Sequence, residues 1–264
     1  MNRSTHSFKS LTISRSHLAN CRKLLSKKFR DIEGKYIVEG VRTCEEAFNS
    51  EVEIREFIHC PEMLNVDRGY DLLVRASDRH IPIFQAGENQ FRSMTSTDTP
   101  QGLACIVNKS AQRDIPESAT LLLALDSLQD PGNLGTIIRT AEWFGVGGVI
   151  LNDQTVDVYN PKVVRSTMGA IFRMTVTEHA RLNEFLIPLK SNRYRVIAAV
   201  VKGGIPISTL KRSQKDILIL GNEAHGLSIE KSLIDIETYI PCLGQGESLN
   251  VAVATGIALY QLTQ

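Results

Sequence analysis

The chain has 264 residues, 42% of them apolar and 22% charged, and a formal net charge of +1. Those proportions are ordinary for a soluble globular protein and leave room for one large or two ordinary domains, each with a real core. No run approaches the roughly 18 apolar residues of a membrane span and the N-terminus has no apolar signal core, which excludes a spanning protein and points to the cytoplasm.

The first thirty residues stand apart. Arg3, Lys9, Arg15, Arg22, Lys23, Lys27, Lys28 and Arg30 meet no acidic residue, a local +8 that leaves −7 for the remainder. The spacing of Leu18, Cys21, Leu24, Leu25 and Phe29 predicts a basic amphipathic helix over 16–29. A solvated tail is one reading. The other is a nucleic-acid arm, because clustered Lys and Arg release counterions from a polyanion.

Residues 31–107 alternate apolar strands with helices: strands at 35–40, 55–60, 81–86 and 103–107, helices at about 42–49 and 68–79. This is the pattern of a small α/β domain. Glu39-Gly40 and Thr99-Pro100-Gln101-Gly102 read as turn chemistry. The polar stretch 108–118 reads as a linker.

From residue 119 the alternation is more regular. Strands fall at 121–128, 148–152, 172–176, 194–200, 216–221 and 237–241; helices at 134–145, 161–168, 180–191 and 226–235. The unbroken apolar run LLLALDSL suits the interior of a parallel sheet. Ligands in such sheets sit beyond the carboxyl ends of the strands, where the loops 129–135, 221–226 and 241–247 fall. The C-terminal stretch 239–260 matters most. A loop with Gly244 and Gly246 runs into Glu247, Ser248 and Asn250, which open a helix that is apolar on nearly every face. Its first turn offers unsatisfied N–H groups and partial positive charge to a polar or anionic ligand.

Several chemistries are absent. G-x-G-x-x-G and G-x-x-x-x-G-K-[ST] do not occur, nor does G-x-S-x-G. The five cysteines (Cys21, Cys44, Cys60, Cys105 and Cys242) are dispersed, with no C-x-x-C pair and no histidine at metal spacing. They read as free thiols, and no metal is expected.

Three loop motifs in order, DPGNLGTIIRTAEWFG (130–145), LILGNEAHGLS (218–228) and IPCLGQGESLNVAVATGIAL (240–259), resemble the SpoU, or TrmH-like, branch of the SPOUT RNA methyltransferases. YNPKVVRSTMGAIF (159–172) is similar to that family's intervening helix. SKKFRDIEGKYIVEG (26–40) and TPQGLACIV (99–107) resemble the substrate-binding domain of its ribosomal-RNA members. The resemblance implies an α/β chain with a C-terminal SPOUT domain, a parallel sheet and a deep trefoil knot, preceded by a small L30e-like α/β domain. The divisions expected are a basic arm (1–23), an RNA substrate-binding domain (24–107), a linker (108–118) and a methyltransferase domain (119–264).

It further implies a homodimer that transfers a methyl group from S-adenosylmethionine to a ribose 2′-hydroxyl of RNA. Large-subunit ribosomal RNA is the favoured substrate, with a guanosine or another nucleotide as target. Cofactor contacts carry over to Gly221, Ile240 and Leu249, largely through backbone. Catalytic positions carry over to Asn133, Arg139, Glu223, Ser248 and Asn250. A guanidinium with a pKa above about 12 is a poor base. Arg139 therefore reads as a grip on phosphate or a stabiliser of the developing alkoxide. Asn133 and Asn250 would orient it and the loop, and Glu223 would be a structural anion or a ribose contact. Arg22, Lys23, Lys27, Lys28 and Arg30 are the expected RNA contacts. Transfer-RNA methylation, a catalytically silent RNA-binding protein and a nucleotide-metabolising α/β enzyme stand as alternatives.

Overall fold

The structure, a computed structural model, describes residues 8–109, 114–179, 181–221 and 226–264. The chain divides into two compact units, residues 1–111 with 157–172, and residues 112–156 with 173–264.

In the first unit the order is β1 (Leu11–Thr12), α1 (Arg15–Lys23), α2 (Lys27–Glu33), β2 (Lys35–Glu39), α3 (Val41–Phe48), β3 (Ile54–His59), α4 (Asp67–Asp78), β4 (Ile83–Gln85), α5 (Glu88–Met94) and β5 (Leu103–Asn108). The five strands form one sheet, β1-β4-β3-β5-β2, in which β5 runs antiparallel to both its neighbours and the other pairings are parallel. Side chains alternate across a strand, and helices cover both faces. Tyr36, Val38, Phe57 and Cys105 enter one apolar cluster. Ile37, Ile58, Ala104 and Ile106 enter the other.

The expected arm is not separate from this core. Ile13, Cys21 and Leu24 are buried in the second cluster. The single helix expected over 16–29 is two helices, because the backbone N–H groups of Leu24, Leu25 and Ser26 bond three residues back and tighten the chain into a turn. α2 then stops at Gly34, whose φ of 62° is the left-handed cap.

The second unit opens with β6 (Leu121–Asp126), α6 (Pro131–Trp143) and β7 (Gly148–Asn152). Between β7 and the next strand the chain returns to the first unit. There α7 (Pro161–Ser166) packs on β2, and Val164 and Phe172 complete the first cluster. Then follow β8 (Val176–His179), α8 (Leu182–Ser191), β9 (Arg195–Ala199), β10 (Ile205–Pro206), β11 (Asp216–Gly221), β12 (Ile236–Tyr239) and α9 (Val251–Leu262). All seven strands are parallel, in the order β10-β12-β9-β11-β6-β7-β8. β6 is buried at every position, as its unbroken apolar run requires.

Two expected elements differ. The strand placed at 172–176 begins at Val176, after a 3₁₀ turn over Ala170–Phe172. The helix placed at 226–235 is only a 3₁₀ turn at Lys231–Leu233. Ser228, near the start of this segment, gives both its N–H and its hydroxyl to Asp126 at the end of β6, so a contact made far along the chain fixes the backbone there.

Candidate cofactor and catalytic site

Within the second unit a cavity of about 860 Å³ lies beyond the carboxyl ends of β9, β11 and β12. Its walls include Val200 after β9, Leu220 and Gly221 at the end of β11, Ile240 after β12, and Ser248 and Leu249 before α9. All three residues expected to touch the cofactor line it, and so does Ser248. Among the described residues, no backbone hydrogen bond ties 241–249 to another backbone group. Apart from the Gly244 and Gly246 carbonyls, which the Cys242 thiol approaches at 3.5 Å, the N–H and carbonyl groups of this loop are therefore available to solvent or a ligand. An apolar cavity of this size rimmed by unspent backbone groups fits an adenosyl cofactor.

Gly221 has a reason beyond the one expected. A Cβ there would stand 2.7 Å from both the carbonyl oxygen of Gly226 and Cδ2 of Leu227. The chain's own returning loop, and not only a ligand, forbids a side chain at this position.

The two helices at the mouth are joined at their N-termini. Asp130 caps α6, its carboxylate accepting from the N–H of Asn133 at 2.7 Å, with Pro131 in the first turn. Asn250 caps α9, its Oδ1 accepting from the N–H groups of Ala252 and Val253. The Asn250 Nδ2 donates to Asn133 Oδ1 at 3.0 Å. Two positive helix ends thus meet beside the cavity.

Sequence reasoning missed the group that holds this architecture. Asp126, fully buried at the end of β6, accepts from Asn152 Nδ2 at 2.7 Å and from Ser228 N–H at 2.5 Å. The hydroxyls of Ser127 and Ser228 add two contacts at 3.0 Å. It is a buried carboxylate satisfied by donors in place of a cation, and it pins the returning loop. Ser127 sits at φ 61° with its N–H on Asn152 Oδ1. The only hint in the sequence was an aspartate inside an otherwise apolar strand.

Arg139 is elsewhere. It is exposed on α6, is not part of the cavity wall, and has no ion pair or hydrogen bond among the described residues. Glu223 lies in 222–225, outside the described residues.

Of the expected RNA contacts, Arg22, Lys23, Lys27 and Lys28 are exposed on α1 and α2. Arg30 is a correction. It is 2% exposed, its guanidinium donates to Asp157 from Nε at 2.8 Å, and Nη1 is taken by the carbonyls of Leu24 and Leu25 at 2.9 Å. With its donors engaged inside the fold, it has none to offer a phosphate.

No helix among the described residues is long and apolar enough to cross a membrane.

Residues 120–260 match the SpoU rRNA Methylase family, and residues 16–105 match the MRM3-like substrate binding domain. The chain is similar to the 23S rRNA (guanosine(2553)-2′-O)-methyltransferase RlmP of Bacillus subtilis, with 33% identity over 91% of this chain and 93% of the relative. It also resembles the AdoMet-bound rRNA methyltransferase of Sinorhizobium meliloti, at 30% identity and a TM-score of 0.80, covering 96% of this chain and 97% of that one. A TrmH-family protein from Porphyromonas gingivalis gives 30% identity and a TM-score of 0.81, over 96% and 98%.

Proposed function

Because the chain belongs to the SpoU rRNA Methylase family and is an S-adenosylmethionine-dependent RNA methyltransferase, we propose that it methylates a ribose 2′-hydroxyl in large-subunit ribosomal RNA. The observation that carries the reading is the cavity beyond β9, β11 and β12, which gathers Gly221, Ile240, Ser248 and Leu249 in one wall. The RlmP likeness spans nearly the whole of both chains and so supports ribosomal over transfer RNA. A guanosine is the first nucleotide to test.

When bound, the cofactor supplies an electrophilic methyl group on a sulfonium. The chain's task is orientation, since the ribose hydroxyl would have to be held within reach of that group. Ile240 and Leu249 would hold the cofactor through backbone groups, which would let apolar residues serve a polar ligand. Asn250 and Asn133 fix the two helix ends whose positive partial charge faces the developing alkoxide. Ser248 opens the same turn. Glu223 keeps the role of structural anion or ribose contact.

Arg139 acts by charge, and its position calls for a second chain. It shares an exposed stripe of α6 with Trp143, four residues on and 85% exposed. α9 packs on α6 and leaves Val253, Ile257 and Tyr260 exposed at i, i+4 and i+7. So large an apolar face on a capped, ordered helix pair supports a two-fold homodimer. Closing over that face carries Arg139 of each chain into the interface, where it can serve a substrate it does not reach from its own cavity wall. The family's trefoil knot belongs to the same reading. It is supported by β12 lying between β9 and β10, two strands that precede it in the chain.

The test is single-turnover methylation of large-subunit RNA and of bulk transfer RNA at saturating cofactor, with the modified ribose mapped. Transfer to large-subunit RNA, reduced by orders of magnitude in Arg139→Ala with S-adenosylhomocysteine affinity unchanged, is expected. Methylation of transfer RNA alone, or full activity in Arg139→Ala, overturns it. Light scattering at micromolar concentration should give twice the 29.3 kDa chain mass; a monomer would refute the dimer.

A further inference from the structure

The first unit holds a cavity of its own, about 360 Å³, between the turn from β2 to α3 and the loop that precedes β5. Sequence reasoning took both segments for turns, and turns they are. Gly40 has φ 91° and its N–H bonds the Leu103 carbonyl at 2.9 Å; Gly102 has φ 75°. Between them they wall a chamber whose floor is a carboxylate.

That carboxylate is Glu39, whose side chain is 3% exposed. One oxygen accepts from the Ser96 N–H at 2.8 Å, and the other receives Arg165 Nη1 at a long 3.4 Å. A carboxylate has about four acceptor sites, so capacity remains toward the cavity. Gln101 Oε1 accepts from the Val41 N–H at 3.0 Å, which turns the amide so that its NH₂ is free to donate. Thr97 and Thr99 bring hydroxyls to the wall, and Arg42 stands exposed at the rim. Among the described residues, none of these last three has a hydrogen-bond or ion-pair partner.

We propose that this cavity receives an unpaired guanine base of the RNA substrate, distinct from the nucleotide that is methylated. Its volume, near the lower end of the roughly 300–1,000 Å³ of small-ligand sites, suits one nucleotide and excludes a duplex. A buried carboxylate selects a base edge with two adjacent donors. Guanine alone offers that edge, in N1–H and the 2-amino group. Uracil flanks its single N–H with two carbonyls that repel a carboxylate, and adenine and cytosine set a ring acceptor beside the amino group. The Gln101 amide and the threonine hydroxyls then donate to O6, and Arg42 meets the phosphate. Unpaired bases are where sequence-specific RNA recognition occurs. The inference rests on RNA being the substrate.

The experiment is fluorescence anisotropy of the full chain with a short single-stranded uridine oligomer carrying one central guanosine, compared with inosine or adenosine at that place. Inosine lacks only the 2-amino group. The guanosine oligomer should bind about tenfold tighter than either, the discrimination of one good bidentate contact. Glu39→Gln, folded by its thermal melt, should shrink the preference to about twofold or less, whereas Arg42→Ala should weaken all three oligomers alike. Thr97→Trp, which fills the mouth without touching the buried carboxylate, should erase the preference as well and serves if Glu39→Gln does not fold. Equal affinity for guanosine and adenosine oligomers, or a preference that survives in folded Glu39→Gln or in Thr97→Trp, overturns the guanine site alone. A chain that binds none of the oligomers, and no ribosomal RNA, overturns the RNA reading with it.

Discussion

Arg30 and Asp126 are both charges out of reach of water, and they are satisfied by different means. Arg30 meets an opposite charge 127 residues away in sequence, while Asp126 gathers neutral donors. Removing one partner of a buried ion pair leaves the other uncompensated. Asp157→Ala should therefore cost about 3–5 kcal/mol in urea unfolding, and Arg30→Met with Asp157→Leu much less. Asp157→Ala should leave the salt dependence of RNA binding unchanged, since Arg30 is not a phosphate contact. His59 makes a third case. Both ring nitrogens are buried with no hydrogen-bond partner among the described residues, and burial holds its pKa below 6.5, with Glu62 pulling the other way. The unfolded chain takes up this proton first, so the contribution of His59 to stability is intact above about pH 6.5 and falls as pH drops through its folded-state pKa. His59→Leu should flatten that part of the stability–pH curve. A variant as acid-sensitive as wild type would show that another group is responsible.

At the scale of elements, the loop from Pro241 to Asn250 and the two helices it meets concentrate the chemistry. Cys242 is the exposed cysteine there and lines the cavity; the other four are buried. Burial raises the Cys21 thiol to about 12 and the Cys60 thiol to about 11, where almost no thiolate forms near neutrality. Mass spectrometry after brief iodoacetamide treatment should find Cys242 alkylated first, and S-adenosylhomocysteine should slow that reaction. Equal labelling of all five thiols would contradict the placement. Gly221→Ala should unsettle the loop even without ligand, because its methyl group meets the Gly226 carbonyl before it meets a cofactor. A lowered melting temperature in the absence of cofactor would register this.

Most of these elements were legible from the sequence, and the reasons are local. Strands such as Gly148–Asn152 and Asp216–Gly221 are short apolar runs with turn residues at their ends, and Asn250 is a polar cap before an apolar helix. The illegible parts depended on partners far along the chain. The segment 226–235 looks helical, but Asp126 holds Ser228 from about a hundred residues upstream. Arg30 reads like its basic neighbours, and only Asp157 distinguishes it. The 95–102 loop and Glu39 are ordinary turn residues until Arg165 and Ser96 close around them.

For the whole molecule, a net charge of +1 conceals an exposed basic ridge. Arg22, Lys23, Lys27 and Lys28 face solvent, and Lys23 and Lys28 stand over the ring of Phe29. Lys27→Ala with Lys28→Ala should lower the slope of log affinity for RNA against log salt by roughly 1.5, and raise the apparent KM while the single-turnover rate at saturating RNA holds. Loss of that rate would place these lysines in the chemistry.

The borrowing of residues 157–172 by the first unit bears on how the protein is made. Synthesis is vectorial, and the N-terminal half emerges first. Yet its core lacks Val164 and Phe172, and Arg30 lacks its counter-charge, until the chain has been translated past β7. A ribosome stalled before Asp157 should therefore hold a nascent chain that proteases still cut within residues 15–109, and one stalled well beyond Phe172 should resist them. Maturation of the first unit waits on translation of part of the second.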